Sequence, residues 1–300
     1  MVAFFNLVRW KNLLLIVYIQ LLLKFVLFSS FNIVSNLSLI QFILLLVSLL
    51  CITAAGYIIN DIFDLKSDLL NKPEKVIVSK YFSKEKSQQL YKWINSIGII
   101  TGIGLALNLN KPSISLVFIG PSLLLNLYSK KLKSLPIIGN IVVSLLISFC
   151  ILILFILDIN TSIKSYDQRI VISIIFMLSF FAFFINLIRE IIKDIEDVNG
   201  DYKLNMKTLP ILIGRNRTKI IVLFLTIFPI GLLSYIIIKY STTYNAVTFY
   251  LLFFSLLPML FTVLKIKSAK SIKNYKTIST YLKIIMLLGI TTLLVISINN

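Results

Sequence analysis

The sequence predicts an all-α, polytopic membrane protein, a bundle of about nine transmembrane helices. Three observations predict it. The 300 residues are 58% hydrophobic and only 14% charged. Apolar runs of about 18 residues or more recur along the whole chain, each long enough for the ~30 Å hydrocarbon core. The runs are continuous, whereas a transmembrane barrel would alternate in ~10-residue segments. Helices close their backbone hydrogen bonds within the segment, as lipid demands. Residues 1–300 read as a single integral-membrane domain.

The spans fall at about 12–31, 38–60, 87–107, 113–128, 136–158, 170–189, 218–239, 246–264 and 281–298. No small-residue cleavage site follows the first apolar run, so it is read as a retained first span. The connections between spans decide the orientation. Of the 30 Lys and Arg, 25 lie in the N-terminal segment and in the connections after spans 2, 4, 6 and 8. Only Lys111, Lys164, Arg169 and Lys239 lie on the other side, and Lys24 is inside span 1. By the positive-inside rule the basic side is cytoplasmic. The N-terminus is then inside and the C-terminus outside. This asymmetry accounts for most of the +18 net charge, so no nucleic-acid partner is implied. The basic stretch Lys265–Lys283 has no acidic residue, and attraction to anionic headgroups of membrane lipids suits it. Cys51 and Cys150 lie inside apolar runs and read as packing residues. Trp10 and Trp93 read as interface anchors.

Acidic residues are few and clustered. Asp61, Asp64 and Asp68 follow span 2 at i, i+3 and i+7, which on a helix puts them within roughly 60° of one another. The same spacing returns after span 6 at Asp194, Asp197 and Asp201. Eight of the 12 acidic residues lie in residues 61–68 and 190–201. Asn199-Gly200 is a turn signal, so the second helix is expected to stop before Asp201, which would face the site from the turn. Both stripes fall on the cytoplasmic side. They follow spans four apart, a pattern that hints at duplication of a four-helix unit.

Two like-charged stripes repel unless a cation lies between them. With no histidine in the chain, oxygen ligands suit Mg²⁺. Mg²⁺ is usually completed by phosphate oxygens, and a membrane setting makes the rest of such a ligand greasy. A prenyl diphosphate meets both conditions. Mg²⁺ and preplaced cations would stabilise the departing diphosphate, and a membrane-soluble acceptor would capture the allylic cation. Basic helpers on the same side are Lys130, Lys131 and Lys133 after Tyr128, Arg189 and Lys193 beside the second stripe, and Arg9 with Asn12 before span 1. A transporter of ions or lipids is the rival class, but it would place ionisable residues in mid-span.

These motifs resemble the UbiA superfamily of intramembrane prenyltransferases. Asn60-Asp61-x-x-Asp64-x-x-x-Asp68 is similar to the family's first motif and Asp194-x-x-Asp197-x-x-x-Asp201 to its second. Three further segments resemble the branch that transfers geranylgeranyl onto geranylgeranylglycerol phosphate in ether-lipid synthesis. They are Asp68-Leu-Leu-Asn71-Lys-Pro73, Tyr128-Ser-Lys-Lys131-Leu-Lys, and the run from Arg189 to Asp201 with Thr208-Leu-Pro210. After Pro73 the chain reads Lys75-Val76-Ile77-Val78-Ser79-Lys80, where that branch has an arginine, two prolines and a glycine. The resemblance implies a helical bundle around a central cavity. It implies an Mg²⁺-dependent prenyltransferase in the cytoplasmic membrane, with its site on the cytoplasmic side and no protein partner. Asp61, Asp64, Asp68, Asp197 and Asp201 would be metal ligands. Asn60, Asn71, Arg9 and Asn12 would bind substrate. Asp194, Lys130, Lys131, Arg189, Lys193 and Tyr128 would be catalytic. The alternative acceptor is an aromatic ring, as in quinone biosynthesis.

Overall fold

A computed structural model describes residues 1–71, 73–159 and 165–298; Lys72 and Lys164, which enter the sequence reading, lie outside them. Among the described residues, nine helices are long and apolar enough to cross a membrane. They are α1 Trp10–Ser30, α2 Leu39–Asn71, α3 Lys84–Asn108, α4 Pro112–Lys130, α5 Ile138–Asp158, α6 Tyr166–Lys203, α7 Arg215–Tyr240, α8 Asn245–Ser268 and α9 Ile272–Ile298. Each predicted span has its helix. No strand occurs among the described residues.

Two helices run well past their expected ends. The 33 residues of α2 and the 38 of α6 make helices of about 50 and 57 Å, longer than a ~30 Å hydrocarbon core requires. The surplus turns carry the two acidic motifs. Asp61, Asp64 and Asp68 therefore do share one helical face. The expected stop at Asn199-Gly200 is not observed, because α6 continues through both residues to Lys203. A side chain at Gly200 would run into the Asn71 amide. The glycine thus serves a close approach by the end of α2, not a turn. Asp201 lies on the helix, buried at 6% exposure.

The chain forms two compact units. The first comprises Met1–Tyr18, Leu37–Gly139 and Asn199–Met206. In it α2 packs against α3 and α4. Gly98 lets α3 close on Cys51 and Ile52 of α2, and Ser48 Oγ donates to Gly98 O at 2.6 Å. Gly102 of α3 lies against the Phe118 ring of α4. The short helix Val2–Leu7 is pinned to α2 by Leu7 and Val8, buried with Ala54, Ile58, Ile59 and Ile62. Val76 and Val78 are buried too, Val78 in this same cluster. The departure after Pro73 thus supplies core.

The second unit comprises Ile19–Asn36, Asn140–Val198 and Lys207–Asn300. Lys24, the one basic residue within span 1, is buried in it. Its ammonium donates to Asp158 Oδ2 at 2.7 Å and also contacts Ser35 Oγ. Ser35 Oγ donates to Asp158 Oδ1 at 2.7 Å, and Asn36 N to the Asp158 carbonyl at 3.1 Å. Lys24 lies in a π-helical turn, Leu22–Leu27. A buried charge is tolerable only when paired and hydrogen-bonded in this way.

Candidate functional site

The first acidic motif lies wholly in the first unit. Leu7 and Val8 pack on α2, which brings the next residue, Arg9, to the motif. Arg9 has a left-handed backbone, φ 51, uncommon for a side-chain-bearing residue and characteristic of functional segments held by their surroundings. Its guanidinium donates to Asp61 Oδ1 at 2.8 Å and lies 4.8 Å from the Tyr57 ring centre. Asn12 Nδ2 donates to Tyr57 Oη at 3.2 Å. Tyr57 is one turn before Asp61 on α2 and orders both N-terminal residues. Asp64 accepts from Asn60 Nδ2 at 2.6 Å and is ion-paired with Lys133. Asp68 is half-buried. Asn71 Nδ2 reaches Ser67 Oγ at 3.5 Å, and its amide lies against Gly200, next to the buried Asp201.

The structure therefore pairs Arg9 with Asp61, Asn60 with Asp64, and Asn12 with Tyr57, whose ring also meets the Arg9 guanidinium. It pairs Asp64 with Lys133 rather than with Lys130 or Lys131, both of which are exposed where α4 ends. Tyr128 is half-buried on the last turns of α4.

Asp194 and Asp197 lie in the second unit. Asp194 Oδ2 accepts from the buried Asn140 Nδ2 at 2.9 Å. From Asn140 a polar ladder continues between α5 and α6: Ser144 Oγ donates to Asn140 O at 2.6 Å, and Asn186 Nδ2 donates to Ser144 Oγ at 3.1 Å. Arg189 and Lys193 both turn to Glu190, donating to Oε1 at 2.9 and 2.5 Å. Arg189 keeps a buried Nε without a partner.

Two residues that the structure sets beside the motifs, Asn140 and Tyr57, are not legible as such in the sequence. They carry no charge, so a search for charged clusters passes over them. Both are polar residues at helix positions next to a motif, Asn140 directly after Gly139 and Tyr57 one turn before Asp61. Lys133 is visible in the sequence, but three lysines at nearly equal spacing give no means of choosing one.

The residues fit Mg²⁺ in donor chemistry. The available side-chain ligands are oxygens, and Asn60 Oδ1 is buried beside the motif without a hydrogen-bond partner, which suits a hard cation. Among the described residues, no three carboxylates stand at metal-binding spacing. The neutralisation a metal would provide at Asp61 and Asp64 is supplied by Arg9 and Lys133.

Comparison with known proteins places this geometry among relatives. The model of the UbiA prenyltransferase family matches residues 15–287. Digeranylgeranylglyceryl phosphate synthase of Saccharolobus solfataricus is 32% identical over 256 residues, 82% of this chain and 81% of the relative. That of Methanobrevibacter smithii is 32% identical over 193 residues, and that of Methanopyrus kandleri 36% over 165. Against these two the chain spans 65% and 54% of the relatives' length. A solved structure concerned with digeranylgeranylglyceryl phosphate synthase in membranes superposes with a TM-score of 0.69 at 22% identity, covering 99% of this chain and 98% of that one. A UbiA homolog from Archaeoglobus fulgidus bound to GPP and Mg²⁺ gives 0.61 at 15% identity, covering 97% and 99%. At these identities the structural likeness speaks for the fold.

Proposed function

The chain belongs to the UbiA prenyltransferase family, and on that premise we propose that this integral membrane protein transfers a geranylgeranyl group from its diphosphate to geranylgeranylglycerol phosphate, forming an ether lipid. The observation that carries the reading is the doubled Asp-x-x-Asp-x-x-x-Asp motif, its first copy joined to Asn60, Arg9 and Lys133. The relatives named above are synthases of digeranylgeranylglyceryl phosphate, and this supports the acceptor. The match of one family model to residues 15–287 supports reading the whole chain as one catalytic domain.

Asp61, Asp64 and Asp68, with Asn60 Oδ1, would hold Mg²⁺ for the diphosphate; Asp194, Asp197 and Asp201 would serve a second ion or orient the acceptor. Mg²⁺, when bound, neutralises charge that builds on the leaving diphosphate. The chain's own cations do the same work from fixed positions. Arg9 and Lys133 already neighbour the carboxylates, and a diphosphate oxygen would displace Asp64 as the partner of Lys133. Lys130, Lys131, Arg189 and Lys193 would supply further positive charge, Tyr128 would assist catalysis, and Asn12 and Asn71 would bind substrate. The prenyl C–O bond breaks with its electron pair leaving on the diphosphate. The acceptor hydroxyl oxygen bonds to the prenyl carbon and gives up its proton to the departed diphosphate. The 25-to-4 distribution of basic residues supports a cytoplasmic N-terminus, an external C-terminus and an active site on the cytoplasmic side.

The test is transfer of labelled geranylgeranyl from its diphosphate in reconstituted membranes with Mg²⁺. Geranylgeranylglycerol phosphate should accept the label and an aromatic ring should not. Asp64→Asn and Asp197→Asn should each lower the rate by about 10²–10³, the usual cost of losing one preorganised stabilising group. Wild-type rates in both variants would overturn the two-motif mechanism, and transfer to the aromatic compound alone would overturn the acceptor.

A further inference from the structure

Part of the second unit is unused by the acidic motifs. A cavity of about 590 Å³ lies between α6, α7, α8 and α9, within the size range of ligand sites. Arg169 and Lys239 stand on its lining, both exposed, near the start of α6 and the end of α7. Phe181 and Gly289 lie at the other end, where the ring fills the space a glycine side chain would take. From Arg169 to Phe181 is twelve residues of helix, a depth of about 18 Å. Arg169 is 25 residues before Asp194, about 37 Å along the same helix. The mouth is therefore at the end of α6 opposite its acidic motif.

Three independent features point to a ligand. Ser255 Oγ and Thr292 Oγ1 line the cavity, are buried at 0% and 5% exposure, and have no hydrogen-bond partner. Buried hydroxyls are rarely left so in a packed core unless something supplies the bond. Ser255 lies in a π-helical turn, Leu252–Leu256, a distortion found mostly at functional sites. Among the described residues, the charged side chains that line the cavity are both cations, Arg169 and Lys239.

We propose that this cavity is a second ligand site, which holds one chain of an anionic glycerolipid with its phosphate between Arg169 and Lys239. The apolar wall takes the chain. Thr292 is one turn deeper on α9 than Ile296, which lines the cavity nearer the end of that helix, at a depth suited to the lipid's linkage oxygens. The two cations supply the attraction that basic residues exert on anionic headgroups. The site does not depend on the prenyl-transfer reading, since no residue of either acidic motif enters it.

The full chain, reconstituted in nanodiscs holding equal phosphatidylglycerol and phosphatidylcholine of identical chains, is released and examined by native mass spectrometry. One phosphatidylglycerol should stay bound per chain, favoured about tenfold or more over phosphatidylcholine, as two headgroup-facing cations imply. Arg169→Gln with Lys239→Gln should abolish the preference, and Thr292→Phe, which fills the cavity, should abolish retention of either lipid. Retention by Thr292→Phe equal to wild type would mean only annular lipid and would overturn the site. Should Thr292→Phe fail to fold, the exposed charge variant decides: an unchanged preference for phosphatidylglycerol overturns the proposal.

Discussion

Lys133 is ion-paired with Asp64, one of the carboxylates proposed to hold Mg²⁺. Lys130 and Lys131 are three and two residues away in sequence but exposed, where a charge is screened and worth little. The difference is set by position after the end of α4, not by residue type. Lys133→Gln should therefore lower kcat for prenyl transfer by about 10²-fold, whereas Lys130→Gln should change it by less than about 3-fold. A steady-state comparison of the two variants checks this, and equal losses would move the role back to the whole lysine run. Arg9 follows the same logic from the N-terminal side. Its strained backbone is held by Leu7 and Val8 packed on α2, and Tyr57 fixes its guanidinium above the ring.

At the level of elements, the two long helices carry the acidic motifs beyond their membrane-spanning lengths, and a buried ion pair ties α1 to α5. Lys24 and Asp158 are 6% and 0% exposed at the side chain. Lys24→Met leaves the Asp158 carboxylate buried without its cationic partner. It should cost about 3–5 kcal/mol of stability, while Lys24→Met combined with Asp158→Leu should recover most of that loss. Thermal unfolding of the detergent-solubilised protein measures both. A single variant as stable as wild type would show that the pair contributes no net stability. The pairing also bears on the transporter alternative. Ionisable residues within a span mark transport pathways when they face a pathway, and these two are consumed by each other and by Ser35.

For the molecule as a whole, the distribution of basic residues makes a topological prediction. Cys51 and Cys150 are first replaced by serine, and single cysteines are then introduced at Lys86, Lys111 and Lys270. In intact cells a membrane-impermeant maleimide should label only the Lys111→Cys variant, because Lys86, in the first turn of α3, and Lys270, between α8 and α9, lie on the basic side, which the proposed orientation makes cytoplasmic. Labelling of Lys86→Cys with protection of Lys111→Cys would invert the topology and move both acidic motifs outside. Treatment with a chelator should abolish prenyl transfer and Mg²⁺ should restore it, since a carboxylate and amide-oxygen site depends on its cation for charge balance.

The sequence by itself determined the helical class, the order of all nine spans and the two acidic stripes. Each rests on a local property: length of an apolar run against bilayer thickness, and residue spacing against the helical repeat. What it misjudged was also local. Asn199-Gly200 is a turn signal by intrinsic preference, yet α6 passes through it, because the absent side chain at Gly200 makes room for Asn71. Only the tertiary structure selected Lys133 from three lysines, joined Arg9 to Asp61 from 52 residues away, and placed Asn140 on Asp194. Those choices depend on which side chains become neighbours when helices pack. Packing is fixed by shape and buried contact between distant segments, and a pattern read along one chain contains no distance between them.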